Sequence, residues 1–228
     1  RMPALSEEWA VWMDRRNGNW DVYAMSLSDG TEEPVANLAE DEVQPAVDGD
    51  FVVWTAGWSD DPDSMRPQIY GRDLGNETAG RLVGTAGGRQ TNPSVSGDIV
   101  MWRERSSPSD YARVCGTHLS RGEWFVIPLP MCECDVPWVQ GGHAVFMVYP
   151  EYIEPEAESS WEVFYADLGA GSFEKTGEGS YSSTGWRKAC VEPGDQVVPS
   201  ISGNTIVWTE MTSDEGDIYG CRVGEWTP

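Results

Sequence analysis

Lysine is almost missing from this sequence: only Lys175 and Lys188 occur in 228 residues, and 15 basic side chains face 38 acidic ones for a formal net charge of −23. A surface of that sign repels phosphate backbones and anionic headgroups, which excludes nucleic acid as a partner. The carboxylates are spread along the chain and not gathered in one block, which suits hydration in a salty medium better than one docking patch for cations or basic proteins. Long apolar runs are missing too. None approaches the ~20 residues needed to span a bilayer, so no membrane span is expected. The chain opens on Arg1 without a charged-then-apolar leader, so any targeting segment is expected to have been removed or never included.

The usual signatures of catalysis are also lacking. There is no G-x-S-x-G elbow, H-E-x-x-H pair, P-loop or G-x-G-x-x-G turn. Histidine is limited to His118 and His143, so a Ser-His-Asp device would have to use one of them. Five cysteines leave at least one unpaired within the chain, and the lone CEC at Cys132-Glu133-Cys134 lacks the partners of a zinc site. One or two disulfides in an extracytoplasmic chain are the expectation, with at least two of Cys132, Cys134, Cys190 and Cys221 oxidised.

What the sequence does have is a sentence written five times. Proline recurs at Pro3, Pro45, Pro93, Pro137 and Pro199, and nine residues after each stands a large aromatic: Trp12, Trp54, Trp102, Phe146 and Trp208. A polar turn and an apolar run (WAVW, FVVW, IVMW, AVF, TIVW) lie between the two anchors. A second phrase follows each time: DVYAMSL, QIYGRDL, RVCGTHL, EVFYADL and DIYGCRV. Cys115 falls where the other repeats carry Tyr or Phe, so it reads as a small buried apolar residue.

The prolines step by 42, 48, 44 and 62 residues, a period that signals solenoids, propellers or arrays. Each unit reads as a strand after proline, a tight turn, a continuous apolar strand, a loop, a third strand and a weaker fourth. The apolar second strand must be covered on both faces, which stacking of blades around an axis achieves. A β-sandwich would explain alternation but not a repeated sequence. The expectation is an all-β, five-bladed β-propeller of four-stranded antiparallel blades filling residues 1–228 as one domain. The sequence stops soon after the fifth repeat's third strand, so an incomplete last blade and an open or distorted ring are expected. The five aromatics should occupy equivalent buried positions.

Function should sit where loops and strand entries crowd one face. The loops from Thr55, from Val148 (VYPEYIEPEAESS) and between Gly169 and Val198 share that face with the CEC segment. Just before the prolines stand Glu42 and Gln44, Gln90 and Asn92, Asp135, and Gln196. Innermost strands line the channel, so these oxygens are candidates for a ring at its mouth. Glu42, Asn92 and Asp135 would form the hard ligand set that suits Ca²⁺ or Mg²⁺. Equally, the ring could hold a small polar ligand or ordered water, or Gln90 and Gln196 could simply satisfy the backbone of the next blade.

Pro93-Ser94-Val95-Ser96-Gly97-Asp98 and Asp217-Ile218-Tyr219-Gly220 carry a likeness that covers essentially the whole chain: the repeats resemble those of the TolB-like propeller family. Phe146 in place of Trp and Gly141-Gly142-His143 in place of the usual turn depart from that pattern in the fourth repeat. The resemblance implies a secreted or periplasmic binding or interaction module, a monomer that takes a small polar ligand or a protein partner. The reading from a different class is a small hydrolase of lactones or cyclic amides, metal-assisted or not, with its site in the channel.

Overall fold

A computed structural model describes residues 1–59, 66–76, 79–85, 87–129, 132–149, 160–169, 186–189, 194–212 and 215–223. The described residues contain no helix, and therefore none long and apolar enough to cross a membrane. Five antiparallel sheets follow one another along the chain. The first contains β1 (Ala4–Leu5), β2 (Trp9–Asp14), β3 (Asp21–Ser26) and β4 (Glu32–Ala36). The second contains β5 (Asp41–Asp48), β6 (Phe51–Trp58), β7 (Gln68–Asp73) and β8 (Arg81–Leu82). The third contains β9 (Arg89–Ser96), β10 (Ile99–Arg105), β11 (Arg113–His118) and β12 (Glu123–Val126). The fourth contains β13 (Glu133–Gln140), β14 (His143–Tyr149), β15 (Glu162–Asp167) and β16 (Trp186–Lys188). The fifth has three described strands, β17 (Asp195–Ser202), β18 (Thr205–Thr212) and β19 (Glu215–Arg222).

The two repeated phrases meet across each sheet in one register. Trp12 pairs with Tyr23, Trp54 with Tyr70, Trp102 with Cys115, Phe146 with Phe164, and Trp208 with Tyr219. Three of these pairs stack their rings with centroids 6.2–6.4 Å apart. At Trp102 the partner is Cys115, fully buried among Val53, Ile69 and Val100, as expected of a small apolar residue. Burial pushes its thiol up to about 12.

Each aromatic faces the blade before it, and the residue one position earlier faces the blade after it. Trp54 packs with Val11, Val22 and Ala24 of the first blade, whereas Val53 and Ile69 pack with Trp102 of the third. Phe146 likewise packs with Met101 and Val114, and Trp208 with Val145 and Val163. Burial of these apolar groups between sheets is what holds the blades in sequence.

The outer blades depart from this scheme in a consistent way. Trp12 is only half-buried, while Trp54, Trp102, Phe146 and Trp208 are buried against the blade before them. On the fifth blade Val207 and Ile218 are 40% and 80% exposed, although their equivalents Val53 and Ile69 are fully buried. Strand packing links successive blades, and no comparable packing joins the fifth to the first among the described residues.

Two expectations change. Pro3 precedes its strand, but the other prolines sit inside the innermost strands, with β5, β9, β13 and β17 each starting upstream of Pro45, Pro93, Pro137 and Pro199. Proline is tolerated there because the free edge of an innermost strand has no ladder partner to lose. The stretch from Gly169 to Val198 is not wholly an insertion, since Trp186–Lys188 supplies the fourth strand of its blade. Much of that stretch lies outside the described residues, with most of the loop from Val148 and residues 60–65 of the loop from Thr55, whose first residues 55–58 belong to β6.

Candidate functional site

At each embedded proline the ladder to the second strand slips, between Val43 and Ala46, Asp135 and Trp138, and Val197 and Ser200, with the matching break opposite Met101 and Arg103. The residue before each proline adopts a left-handed backbone: Met2 (φ 48°), Gln44 (57°), Asn92 (55°), Val136 (45°) and Val198 (52°). A residue preceding proline is normally held extended, and a β-branched one has little tolerance for positive φ, so Val136 and Val198 are strained. A bulge of this kind re-aims side chains. Here it brings side chains of successive blades into contact.

Gln44, Asn92 and Asp135, from three successive blades, are joined in one chain of hydrogen bonds. The Gln44 amide donates to Asn92 Oδ1, and in return Gln44 Oε1 accepts from Asn92 N at 2.9 Å and from Thr55 Oγ1 at 3.0 Å. Asn92 Nδ2 donates to Asp135 Oδ1 at 2.7 Å. Asp135 Oδ1 also accepts from Val136 N at 2.8 Å, and Arg103 Nε lies 3.6 Å from it. Arg103 continues to Glu133 Oε1 at 2.6 Å, where Arg105 also pairs. Gln44, Asn92 and Asp135 are all half-buried. Beside this polar arc the bulge N–H groups of Gln44 and Val198 bond the sulfurs of Met13 and Met147, at 3.5 and 3.4 Å, which are weak acceptors.

Glu42, Gln90 and Gln196 are placed differently. All three are fully buried between blades, where each backbone N–H bonds the residue preceding the neighbour's third strand: Glu42 to Trp20 O (2.7 Å), Gln90 to Pro67 O (2.8 Å) and Gln196 to Trp161 O (2.7 Å). Gln90 Oε1 accepts from Ile69 N and Gln196 Oε1 from Val163 N, both at 3.3 Å. Gln90 Nε2 donates to Thr85 O (2.7 Å) and Glu104 Oε2 (2.8 Å), in a fit so close that a Cβ on Gly84 would come within 2.0 Å of Gln90 Oε1. Glu42 takes the same place with a carboxyl: Oε2 accepts from Leu38 N at 3.2 Å and Oε1 is buried without a hydrogen-bond partner. Burial pushes this carboxyl up to about 7, helped by the nearby charges of Asp21, Glu40 and Asp41.

Of the set Glu42, Asn92 and Asp135, the last two are bonded to each other and Asp135 lies beside Arg103, while the contact of Glu42 is to Leu38 N in the first junction. Among the described residues no three His, Cys, Asp or Glu side chains are arranged to hold a metal ion. Among the described residues the histidines form no triad either. His143 Nδ1 bonds Tyr165 Oη at 2.8 Å. Near His118, Ser120 Oγ bonds Asp98 at 2.8 Å and the imidazole lies 3.6 Å from the same carboxylate, so the carboxylate and not the imidazole holds the hydroxyl. Cys115, Cys132 and Cys134 are free thiols, so the expected disulfide does not involve Cys132 or Cys134; Cys190 lies outside the described residues.

Reasoning from sequence missed Thr55, Arg103, Met13 and Met147. The available signal was position: each directly follows a repeat aromatic.

By sequence, no family profile matches the chain and no curated protein is similar to it. By structure it has a TolB-like β-propeller fold. TolB from Acinetobacter baumannii superposes with a TM-score of 0.65 at 15% identity, over 97% of this chain and 51% of that one. The putative TolB from Agrobacterium tumefaciens gives 0.66 at 11% identity, over 96% and 76%. An oligogalacturonate lyase in complex with manganese gives 0.63 at 11% identity, over 98% and 65%. The chain thus spans about half the length of the first TolB.

Proposed function

We propose that this chain is a secreted or periplasmic binding or interaction module, acting as a monomer, which takes a small polar ligand or a partner segment at the channel mouth. The observation that carries this reading is the Gln44–Asn92–Asp135 chain, built on strained bulges from three blades and left half-exposed. Strain of about 1–3 kcal/mol per residue persists where the surrounding structure enforces it, most often at ligand sites. Amide groups that presently bond each other can exchange those bonds for a ligand's amide, hydroxyl or carboxylate at little cost. The weakly held N–H groups beside Met13 and Met147 add donors. Likeness to TolB supports an extracytoplasmic module, and the acidic surface, poor in lysine, suits an exposed one.

No observation favours the hydrolase reading, but the same experiment addresses it. Thermal unfolding is followed with amino-acid amides, short peptides, sugars, CaCl₂, MgCl₂ and EDTA, on the wild type and on Asn92→Ala. A ligand at a hundred times its Kd stabilises by about 2.7 kcal/mol. Stabilisation present in the wild type and lost in Asn92→Ala is the expected result. A ligand that stabilises both proteins equally is bound elsewhere and contradicts the proposal. Metal-dependent turnover of a lactone panel, abolished by Asp135→Asn, would establish the hydrolase instead.

A further inference from the structure

The junction between the third and fourth blades is built differently from the others. Where Glu42, Gln90 and Gln196 fill their junctions, this one has Cys134, whose N–H still bonds Ala112 O at 3.2 Å. Its much shorter side chain borders a recess of about 440 Å³ that opens to solvent and is lined by Ala112, Arg113, Ile127, Leu129, Cys132 and Cys134. Cys132 and Cys134 are one residue apart, so an extended backbone turns both to one face. Their sulfurs lie 3.7 Å apart, and both are almost wholly buried, at 3% and 1% exposure. This is contact between two reduced thiols, well beyond the ~2.05 Å of a disulfide. The carboxylate between them, Glu133, is spoken for by Arg103, Arg105 and Ala112 N, so its charge is matched.

We propose that Cys132 and Cys134 form a thiol–disulfide exchange site whose substrate is a small disulfide admitted through the recess. The roles of the two sulfurs follow from their contacts. The bond between the two thiols holds Cys132 below the usual thiol range and raises Cys134 well above it, burial adding to the latter. A low-pKa thiol is the attacking one, and a buried partner resolves. The Cys132 thiolate attacks one sulfur of R–S–S–R′, forming a Cys132–S–S–R bond and releasing R′–S⁻. Cys134 then gives up its proton and attacks Cys132 Sγ, which breaks that mixed bond, releases R–S⁻ and leaves a Cys132–Cys134 disulfide. Two electrons and two protons pass from the protein dithiol to the small disulfide, which leaves as two thiols. The bridge would close a very tight loop, and strained bridges are the readily reduced, exchanging kind.

The test uses the full chain, reduced, then incubated with glutathione and its disulfide at graded ratios, blocked by alkylation and mapped by mass spectrometry. The expected result is loss of both thiols of the Cys132–Cys134 segment with a mass lower by two hydrogens. In Cys134→Ser a glutathione adduct should accumulate on Cys132, at a rate about ten-fold or more above any adduct on Cys134 in Cys132→Ser. The wild-type map stands even if a variant folds poorly. Native protein in which both thiols stay reduced in excess disulfide, a bridge from either thiol to another cysteine, or equal adducts in the two variants would each overturn the proposal.

Discussion

Glu42 and Glu104 are both buried acids, and their surroundings drive them in opposite directions. Glu42 lacks a cation, and burial raises it from 4.5 to about 7. Burial would raise Glu104 as well, but Arg113 at 2.6 Å, Thr85 at 2.7 Å and Gln90 at 2.8 Å hold it below its ordinary value. For Glu42, stability is fully present below about pH 4.5 and is lost as pH rises through about 7, because the unfolded chain ionises first. Glu42→Gln, which installs the residue found at Gln90 and Gln196, should therefore gain stability over the wild type, reaching roughly 3 kcal/mol above about pH 7 and vanishing near pH 4. Denaturant unfolding at a series of pH values checks this, and a constant difference would contradict it. Glu104→Gln should do the reverse, costing roughly 2 kcal/mol at neutral pH by weakening charge-assisted bonds, with the deficit shrinking as pH falls. The likeness of Glu42 to the two glutamines was legible in the repeats. Its burial was not, because position before a proline says nothing of which neighbour covers the side chain.

At the scale of the strand, the bulges carry the account. Val198 is 64% exposed with φ 52°, so its β-branched side chain adds strain without burial to offset it. Val198→Asn should stabilise by about 1 kcal/mol, since asparagine tolerates the left-handed region. Thermal unfolding measures this, and destabilisation would mean that the bulge does not persist in solution. The strand order, the pairing of the two phrases and the aromatic positions were all readable from spacing, as the register Trp54 to Tyr70 and Phe146 to Phe164 attests. The bulge itself was not readable. Proline marks an edge strand, but only the paired backbone reveals that Gln44 and Asn92 turn inward together while Glu42 and Gln90 turn into the junction.

Over the whole molecule, four junctions repeat one packing scheme, and the outer faces of the first and fifth blades stand apart from it. Ile69→Ala, in a filled junction, should cost about 2–5 kcal/mol. The same change at Ile218, its exposed counterpart, should stay within about 0.5 kcal/mol. Comparable losses at both sites would show that the fifth blade's outer face is covered in solution. Binding at the Gln44–Asn92–Asp135 chain is the central claim. Its most direct test is a titration of isotopically labelled protein, by NMR of side-chain amides, with the amides, peptides and sugars that stabilise it. Ligand should move the NH₂ signals of Gln44 and Asn92 together and leave those of Gln90 and Gln196, which are locked between blades, unmoved. Binding that shifts neither Gln44 nor Asn92 would contradict the account.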